Sequence, residues 1–288
     1  MTNIINIENQ IPMVIENGYN TCYIDSLLVA MFYNKTQYVD FILDCVPKKP
    51  EGYYLQELIK LKFVEPLRKQ YSISASTINE IRNYSIICGW TNESDIDGQK
   101  DCSEFYNFFA ELFNVPNLEF EILEIKNNML TENTQKCALP FIPLYPMENT
   151  TIKKLLEQWI NTKINNNDLL SHCYKLSNIP QFVILNINRF SYNGTRNNYK
   201  VDIMKRIKFF GNNDSSQNYL KWKISGIVCH RGTNYKSGHY YSVVLSNKKW
   251  LMFDDMMVPS FEQIDFEDED ICNKIKLEAV LVIYVLEA

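Results

Sequence analysis

The sequence is poor in histidine, with only His172, His230 and His239, so any imidazole chemistry has few owners. It has no Cys-x-x-Cys pair, and its eight cysteines (Cys22, Cys45, Cys88, Cys102, Cys137, Cys173, Cys229, Cys272) follow no regular spacing. The usual pattern of a cysteine-rich zinc site is therefore missing, and no metal or other cofactor is expected. No apolar run approaches the roughly 20 residues needed to span a bilayer. The first ten residues show no basic segment followed by an apolar one, so neither a membrane anchor nor a secretory signal is expected. The cysteines then read as reduced thiols in a cytoplasmic or nuclear setting, or in host cytoplasm or virion for a viral chain. Basic charge is not in excess either. Lys and Arg number 29 against 34 Asp and Glu, and no cluster exceeds pairs such as Lys48-Lys49, which argues against a nucleic-acid binder.

Apolar material is abundant: 46% of 288 residues are hydrophobic, enough for a large core in a single domain of two joined lobes. Up to about residue 116 the apolar spacing is helical. Leu27, Leu28, Met31 and Phe32 follow Cys22 on one helix. Leu55 to Phe63 lie on a second, between Pro50 and Pro66, and Phe105 to Phe113 on a third, closed by Pro116. A short helix is expected from Thr151 to Thr162. From about residue 117 strand signals dominate: Phe182 to Phe190 with a turn at Tyr192-Asn193-Gly194, Trp222 to Cys229, Tyr240 to Leu245, Trp250 to Phe253 and Ala279 to Leu286. The change of period predicts an α+β fold with a helical lobe packed on a β-rich lobe, and a cleft between them that suits an extended substrate.

Cys22 stands where a polar, Gly-containing segment gives way to helical spacing. A helix N-terminus stabilises a thiolate, although an inert buried cysteine is the commoner fate of a single Cys. Among the histidines, His239 follows Ser237-Gly238 directly into a strand, His230 opens a loop before Arg231-Gly232, and His172 sits in a polar stretch. His239 ranks first as a base on this context, with His230 and His172 sharing the remainder. Asp254 and Asp255 close an apolar strand one hairpin beyond His239. They can orient an imidazole, or simply make a solvated turn. Asp101, with Glu104 three residues on, reads on its own as a helix N-cap with its capping-box partner.

These residues fall into a set of motifs. Asn17 through Leu28 resembles the cysteine box of the ubiquitin-specific proteases, N-x-G-N-T-C-Y-x-N-S-x-L. Gly238-His239-Tyr240-Tyr241, with Trp250-x-x-Phe253-Asp254-Asp255-x-x-Val258, resembles their histidine box. Between them Gln99 to Phe105 is similar to Q-Q-D-x-x-E-F, and Ile179 to Phe190 to L-P-x-x-L-x-x-x-L-x-R-F. Val228-x-His230-x-Gly232 and Ala279 to Tyr284 also fit, in the family's order. The resemblance implies a papain-like cysteine protease with helical thumb, β palm and fingers, acting on ubiquitin and ubiquitinated proteins. It implies Cys22 as nucleophile, His239 as base, Asp254 as its orienter and Asn17 as oxyanion donor. Asp255 and His230 would take secondary roles. Asp101 and Glu104, with Gly238 and Tyr240 of the histidine box, would line the path of the ubiquitin tail, where carboxylates suit its arginines.

Four departures stand out. Tyr19 occupies the position of the family's Gly, Asp25 that of its Asn, and Lys100 that of its second Gln. The CxxC pairs of many members are missing, so a reduced, metal-free fingers region is expected between about residues 117 and 178. Two alternatives to ubiquitin hydrolysis remain at this stage: a catalytically inactive ubiquitin-binding module, and a hydrolase of another ubiquitin-like modifier.

Overall fold

The computed structural model describes residues 13–91, 98–127, 129–163, 170–191, 194–209, 220–234 and 237–287. The N-terminal part is helical: α1 (Cys22–Phe32), α2 (Gln37–Asp40), α3 (Glu51–Leu58), α4 (Glu65–Arg68), α5 (Ala75–Ile87) and α6 (Cys102–Leu112). α3 and α4 form one continuous rod through a π-helical stretch, Ile59–Val64. Pro66, which supplies no backbone N–H and crowds the preceding turn, lies just after that widened segment.

Two sheets follow. Strands β1 (Leu118–Lys126), β2 (Met129–Leu139), β5 (Asn161–Lys163) and β6 (Leu170–Leu176) form a four-stranded sheet in the order β2-β1-β6-β5. It occupies the span expected for the fingers. The larger sheet has eight strands: β3 (Ile142–Leu144), β7 (Phe182–Ile187), β9 (Arg206–Phe209), β10 (Leu220–Asn234), β11 (Ser237–Ser246), β12 (Lys249–Phe253), β13 (Phe261–Ile264) and β14 (Ala279–Leu286). Its main path runs β13-β12-β11-β10-β14-β7-β3, with β9 beside β10. A small pair, β4 (Thr150–Thr151) with β8 (Val201–Asp202), and two helices, α7 (Ile152–Ile160) and α8 (Glu269–Glu278), complete the chain.

The closing strand explains the layering. Leu281, Ile283 and Val285 face the helical core, whereas Val282 and Tyr284 face a second core shared with α7, α8 and the four-stranded sheet. A strand buried on both sides has no polar face to offer, hence its unbroken apolar run. α1 behaves likewise, with every residue buried. Gly226 of β10 lets it settle on the sheet, since a Cβ there would stand 2.5 Å from the Ala30 carbonyl oxygen.

α5 and α8 were not signalled by apolar spacing. α5 buries Ile78, Ile81, Arg82 and Ser85, and α8 buries Ile275. Their caps carry the message instead: the Ser74 side chain accepts from the Thr77 N–H, and that of Asp268 from the Asp270 and Ile271 N–H groups. The strand expected to reach Phe190 ends at Ile187. Beyond it the buried Arg189 donates to the carbonyls of Ala279, Tyr199 and Lys276, pinning the chain away from the sheet. Of the turn expected there, Tyr192 and Asn193 lie outside the described residues.

Candidate active site

Cys22 is the first residue of α1 and is 3% exposed. The loop before it turns through two left-handed residues, Tyr19 (φ 69°) and Asn20 (φ 55°). Such a conformation costs roughly 1–2 kcal/mol in a residue other than Gly, and here it is held from several sides. Arg82 Nη1 donates to the Tyr19 carbonyl at 2.7 Å, the Tyr19 N–H donates to Asn17 Oδ1 at 2.7 Å, and the Gly18 N–H donates to Thr21 Oγ1 at 2.8 Å. Tyr19 thus takes the backbone shape that glycine adopts freely, and the residue is 67% exposed.

The sheet brings the residue beside His239 to the thiol. In β11, the N–H of Tyr240, the residue after His239, points at Cys22 Sγ from 3.5 Å. His239 Nε2 hydrogen-bonds Asp254 Oδ1 at 2.7 Å, which fixes the ring and leaves Nδ1 available to the thiol. Asp254 follows β12, the antiparallel neighbour of β11, and its Oδ1 also accepts the Met256 N–H at 3.0 Å. Burial pushes its pKa up, but the His239 and Met256 hydrogen bonds and the charges of His239 and Arg231 outweigh burial and hold it below the usual carboxylate value.

Asn17 Nδ2 donates to Asp255 Oδ2 at 2.6 Å, which spends one amide hydrogen and leaves the other. Asp255 Oδ1 lies 3.5 Å from His239 Nε2. Asp255 also stands beside the fully buried Asp25 of α1, and the Oδ1 atom of each is buried without a partner among the described residues. Burial, with the charges of Asp255 and Asp25, pushes the Cys22 thiol up to about 12 despite the Tyr240 N–H. His239, Asp254 and Asp255 converge within 4.8 Å, a donor set a metal could use. The Nε2 atom is already given to Asp254 and one Asp255 oxygen to Asn17, so these groups read as a hydrogen-bonded chain.

The family model for ubiquitin carboxyl-terminal hydrolase matches residues 14–284. The chain belongs to that family. Two Saccharomyces cerevisiae relatives are ubiquitin carboxyl-terminal hydrolase 9, 25% identical over 213 residues, and ubiquitin carboxyl-terminal hydrolase 13, 24% identical over 188. The matches cover 57% and 59% of this chain but only 28% and 25% of those proteins, so the chain spans about a quarter of their length. Among solved structures, the Ubp8/Sgf11/Sus1/Sgf73 DUB module bound to ubiquitin aldehyde aligns with a TM-score of 0.69 at 16% identity, over 96% of this chain and 70% of the other. The same module bound to monoubiquitin gives 0.67 at 16%, over 99% and 73%. These likenesses give the papain-like fold of the family.

Within this hydrolase fold a groove of about 510 Å³ runs beside Tyr240, between the start of α6 and the segment after β7. Asp101, Glu104 and Tyr240 line it, opposite Asn188 and Phe190. Asp101 is also the N-cap of α6, accepting from the Ser103 and Glu104 N–H groups at 2.7 and 3.1 Å. Gly238 does not line the groove. Its carbonyl accepts from the Gln99 side chain, and a Cβ on it would lie 2.4 Å from His230 Nε2. His230 is fully buried, Arg196 Nη1 donates to its Nδ1 at 3.0 Å, and burial with the Arg196 charge lowers its pKa to about 4. It is thus neutral and buried, its ring centroid 4.7 Å from that of Tyr240. His172 is on β6, in the other sheet.

Sequence reading missed the parts played by Gln99, Arg82, Thr21 and Asp25. Gln99 and Thr21 had left a signal only as members of their boxes, and Asp25 as a departure from the family's Asn; Arg82 had left none.

Proposed function

We propose that this chain is a deubiquitinase, a thiol-dependent hydrolase of the peptide or isopeptide bond after the C-terminal Gly of ubiquitin. One observation carries the reading: Cys22 opens a buried helix with its sulfur 3.5 Å from the Tyr240 N–H, next to an imidazole bonded to Asp254 at 2.7 Å. The thiol rests protonated, so attack and proton removal go together. His239 Nδ1 takes the S–H proton as sulfur adds to the carbonyl carbon. The oxygen that gains charge meets the free N–H of Asn17 Nδ2 and the backbone N–H groups at the start of α1. His239 then gives the proton to the leaving amine. The thioester is cleaved by water, which His239 deprotonates in turn, releasing the ubiquitin carboxylate and the thiol. Asp254 fixes the ring throughout. Asp101 and Glu104 supply carboxylates along the groove for a basic tail. The thiol must stay reduced, which keeps the expected intracellular setting, and ubiquitin and its conjugates are the partners.

The test is turnover of ubiquitin carrying a C-terminal fluorogenic amide, beside matched ubiquitin-like substrates, by the wild type and by Cys22→Ala. Ubiquitin turnover lost in Cys22→Ala is expected. Binding without turnover would make the chain an inactive ubiquitin module, and preference for another modifier would move the substrate.

A further inference from the structure

Asp25 stands on the first turn of α1, 0% exposed, three residues after the nucleophile. Its surroundings tell what state it is in. The Gly18 N–H donates to Thr21 Oγ1 at 2.8 Å, which turns the Thr21 hydroxyl hydrogen toward Asp25 Oδ2 at 3.2 Å. Asp25 Oδ2 is therefore an acceptor. Asp25 Oδ1 is equally buried and receives no N–H or O–H from the described residues. Across from it is Asp255, whose Oδ2 already accepts from Asn17 at 2.6 Å and whose Oδ1 lies 3.5 Å from His239 Nε2. Two carboxyl groups set against each other in a dry site, each with a buried Oδ1 that nothing among the described residues partners, do not both stay ionised; they hold a proton between them. The only oxygen of Asp25 not already accepting is the one free to carry it.

We propose that Asp25 is a positioning residue, resting on the deubiquitinase reading: it keeps a proton, donates it to Asp255, and so lets one negative charge hold the Asn17 amide and face His239. The donor and acceptor roles close without remainder. Thr21 gives to Asp25, Asp25 gives to Asp255, and Asn17 gives to Asp255. Burial, with the Asp255 charge, raises Asp25 well above the ordinary carboxylate range; burial raises Asp255 too, but contact with Asp25 and the His239 charge work against that rise and leave Asp255 the readier of the two to carry the negative charge. Other charges face the pair: Cys22 on α1, Arg82 on α5, and Asp254 and His239 beyond Asp255. Among the described residues Arg82 is the positive group that bears on Asp25, and its two Nη atoms are engaged by Tyr19 and Asn79.

The consequence is an alkaline limit on activity. When pH removes the proton, two anions face each other and drive Asp255 from Asn17. Both charges also bear on Cys22, making its proton harder to remove. Asn at position 25 would donate to Asp255 at any pH while still accepting from Thr21, and is the family's usual residue. Leu would fill the space and donate nothing.

The experiment has two arms. Carboxyl ¹³C NMR of Asp-labelled protein reads the proton with no substrate present. One aspartate should titrate well above the ordinary carboxylate range, and that titration should vanish in Asp25→Asn. Finding every carboxyl titrating below about pH 5 overturns the proposal. Profiles of kcat/KM against pH with the fluorogenic ubiquitin amide read the positioning. Asp25→Leu should lower kcat tenfold or more with KM within twofold. Asp25→Asn should restore most of that loss and move the alkaline limb up by at least one pH unit. Superimposed wild-type and Asp25→Asn profiles would refute the role. A wild type that shows the titration but turns over no ubiquitin would instead refute the deubiquitinase reading and leave the acid pair standing.

Discussion

The resting state of Cys22 makes a sharp kinetic prediction. The thiol is pushed from 9.0 to about 12, chiefly because it is buried, with Asp255 and Asp25 adding to the effect. Three pH units amount to about 4 kcal/mol against the thiolate. At about pH 7.5 an ordinary thiol would be roughly 3% ionised, whereas this one would be ionised in roughly one molecule in 30,000. A small electrophile such as iodoacetamide, which needs a pre-formed thiolate, should therefore alkylate Cys22 about a thousandfold more slowly than an exposed cysteine. The rate should climb with pH without levelling below about pH 10. The folding linkage has the matching sign. The folded thiol pKa lies above the unfolded one, so the unfolded chain ionises first and stability falls as pH rises from about 9 toward 12. A ubiquitin-derived electrophile behaves differently, because it seats its carbonyl where His239 can take the proton during attack. It should label Cys22 readily near neutral pH and leave the other seven cysteines unmodified. Time-resolved mass spectrometry with peptide mapping, on the wild type and Cys22→Ala, separates the two reagents. A plateau in Cys22 alkylation by iodoacetamide at or below about pH 8.5, with the fold intact, would refute the protonated resting thiol.

Asn17→Ala should lower kcat by roughly 10²–10³ with little change in ubiquitin affinity, since the oxyanion exists only in the transition state. Steady-state kinetics with a binding titration checks this, and a loss below fivefold would remove Asn17 from the oxyanion site. Glu104→Gln should raise KM roughly 3–10-fold at constant Tm, the scale of a groove-side ion pair. Asp101→Ala should in addition cost about 1 kcal/mol of stability by uncapping α6. Gly226→Ala should destabilise the fold by about 1–3 kcal/mol in chemical denaturation, because its Cβ must push the α1 backbone at Ala30. Asp25→Asn should leave Tm close to wild type at pH 4.5, then gain on it as pH rises. The unfolded wild type gives up this proton near the ordinary carboxylate value and must rebind it on folding, at about 1.4 kcal/mol per pH unit until the folded group ionises. A Tm gap of equal size at pH 4.5 and 8 would contradict that.

What the sequence made legible was whatever repeats along the chain or sits within one motif. The apolar runs gave the helices of α1, α3 and α6 and most strands of the large sheet, because burying a face imposes a period. α5 and α8 hid because each buries little, and their caps are a weaker mark than a stripe. Cys22, His239 and Asp254 could be singled out because short boxes fix them near their own backbone. Tyr19 looked like damage to the loop, yet its left-handed φ is the shape a glycine would have taken, stabilised by Arg82 from a helix some sixty residues on. That contact is long-range and has no local signature.

Asp25 is the clearest case of what a motif conceals. In sequence it is one conservative exchange, Asn to Asp, inside a well-matched box. In the fold it meets Asp255, 230 residues away, at a buried place where an extra carboxyl must either repel its neighbour or hold a proton. Both residues can be read from the sequence, but their meeting cannot. It depends on β12 delivering Asp255 to the foot of α1, which in turn depends on Gly226 admitting that helix to the sheet. The chemistry of the pair is therefore a property of the packing: the same exchange on an exposed turn of the helix would leave two solvated charges and no pH dependence in the working range.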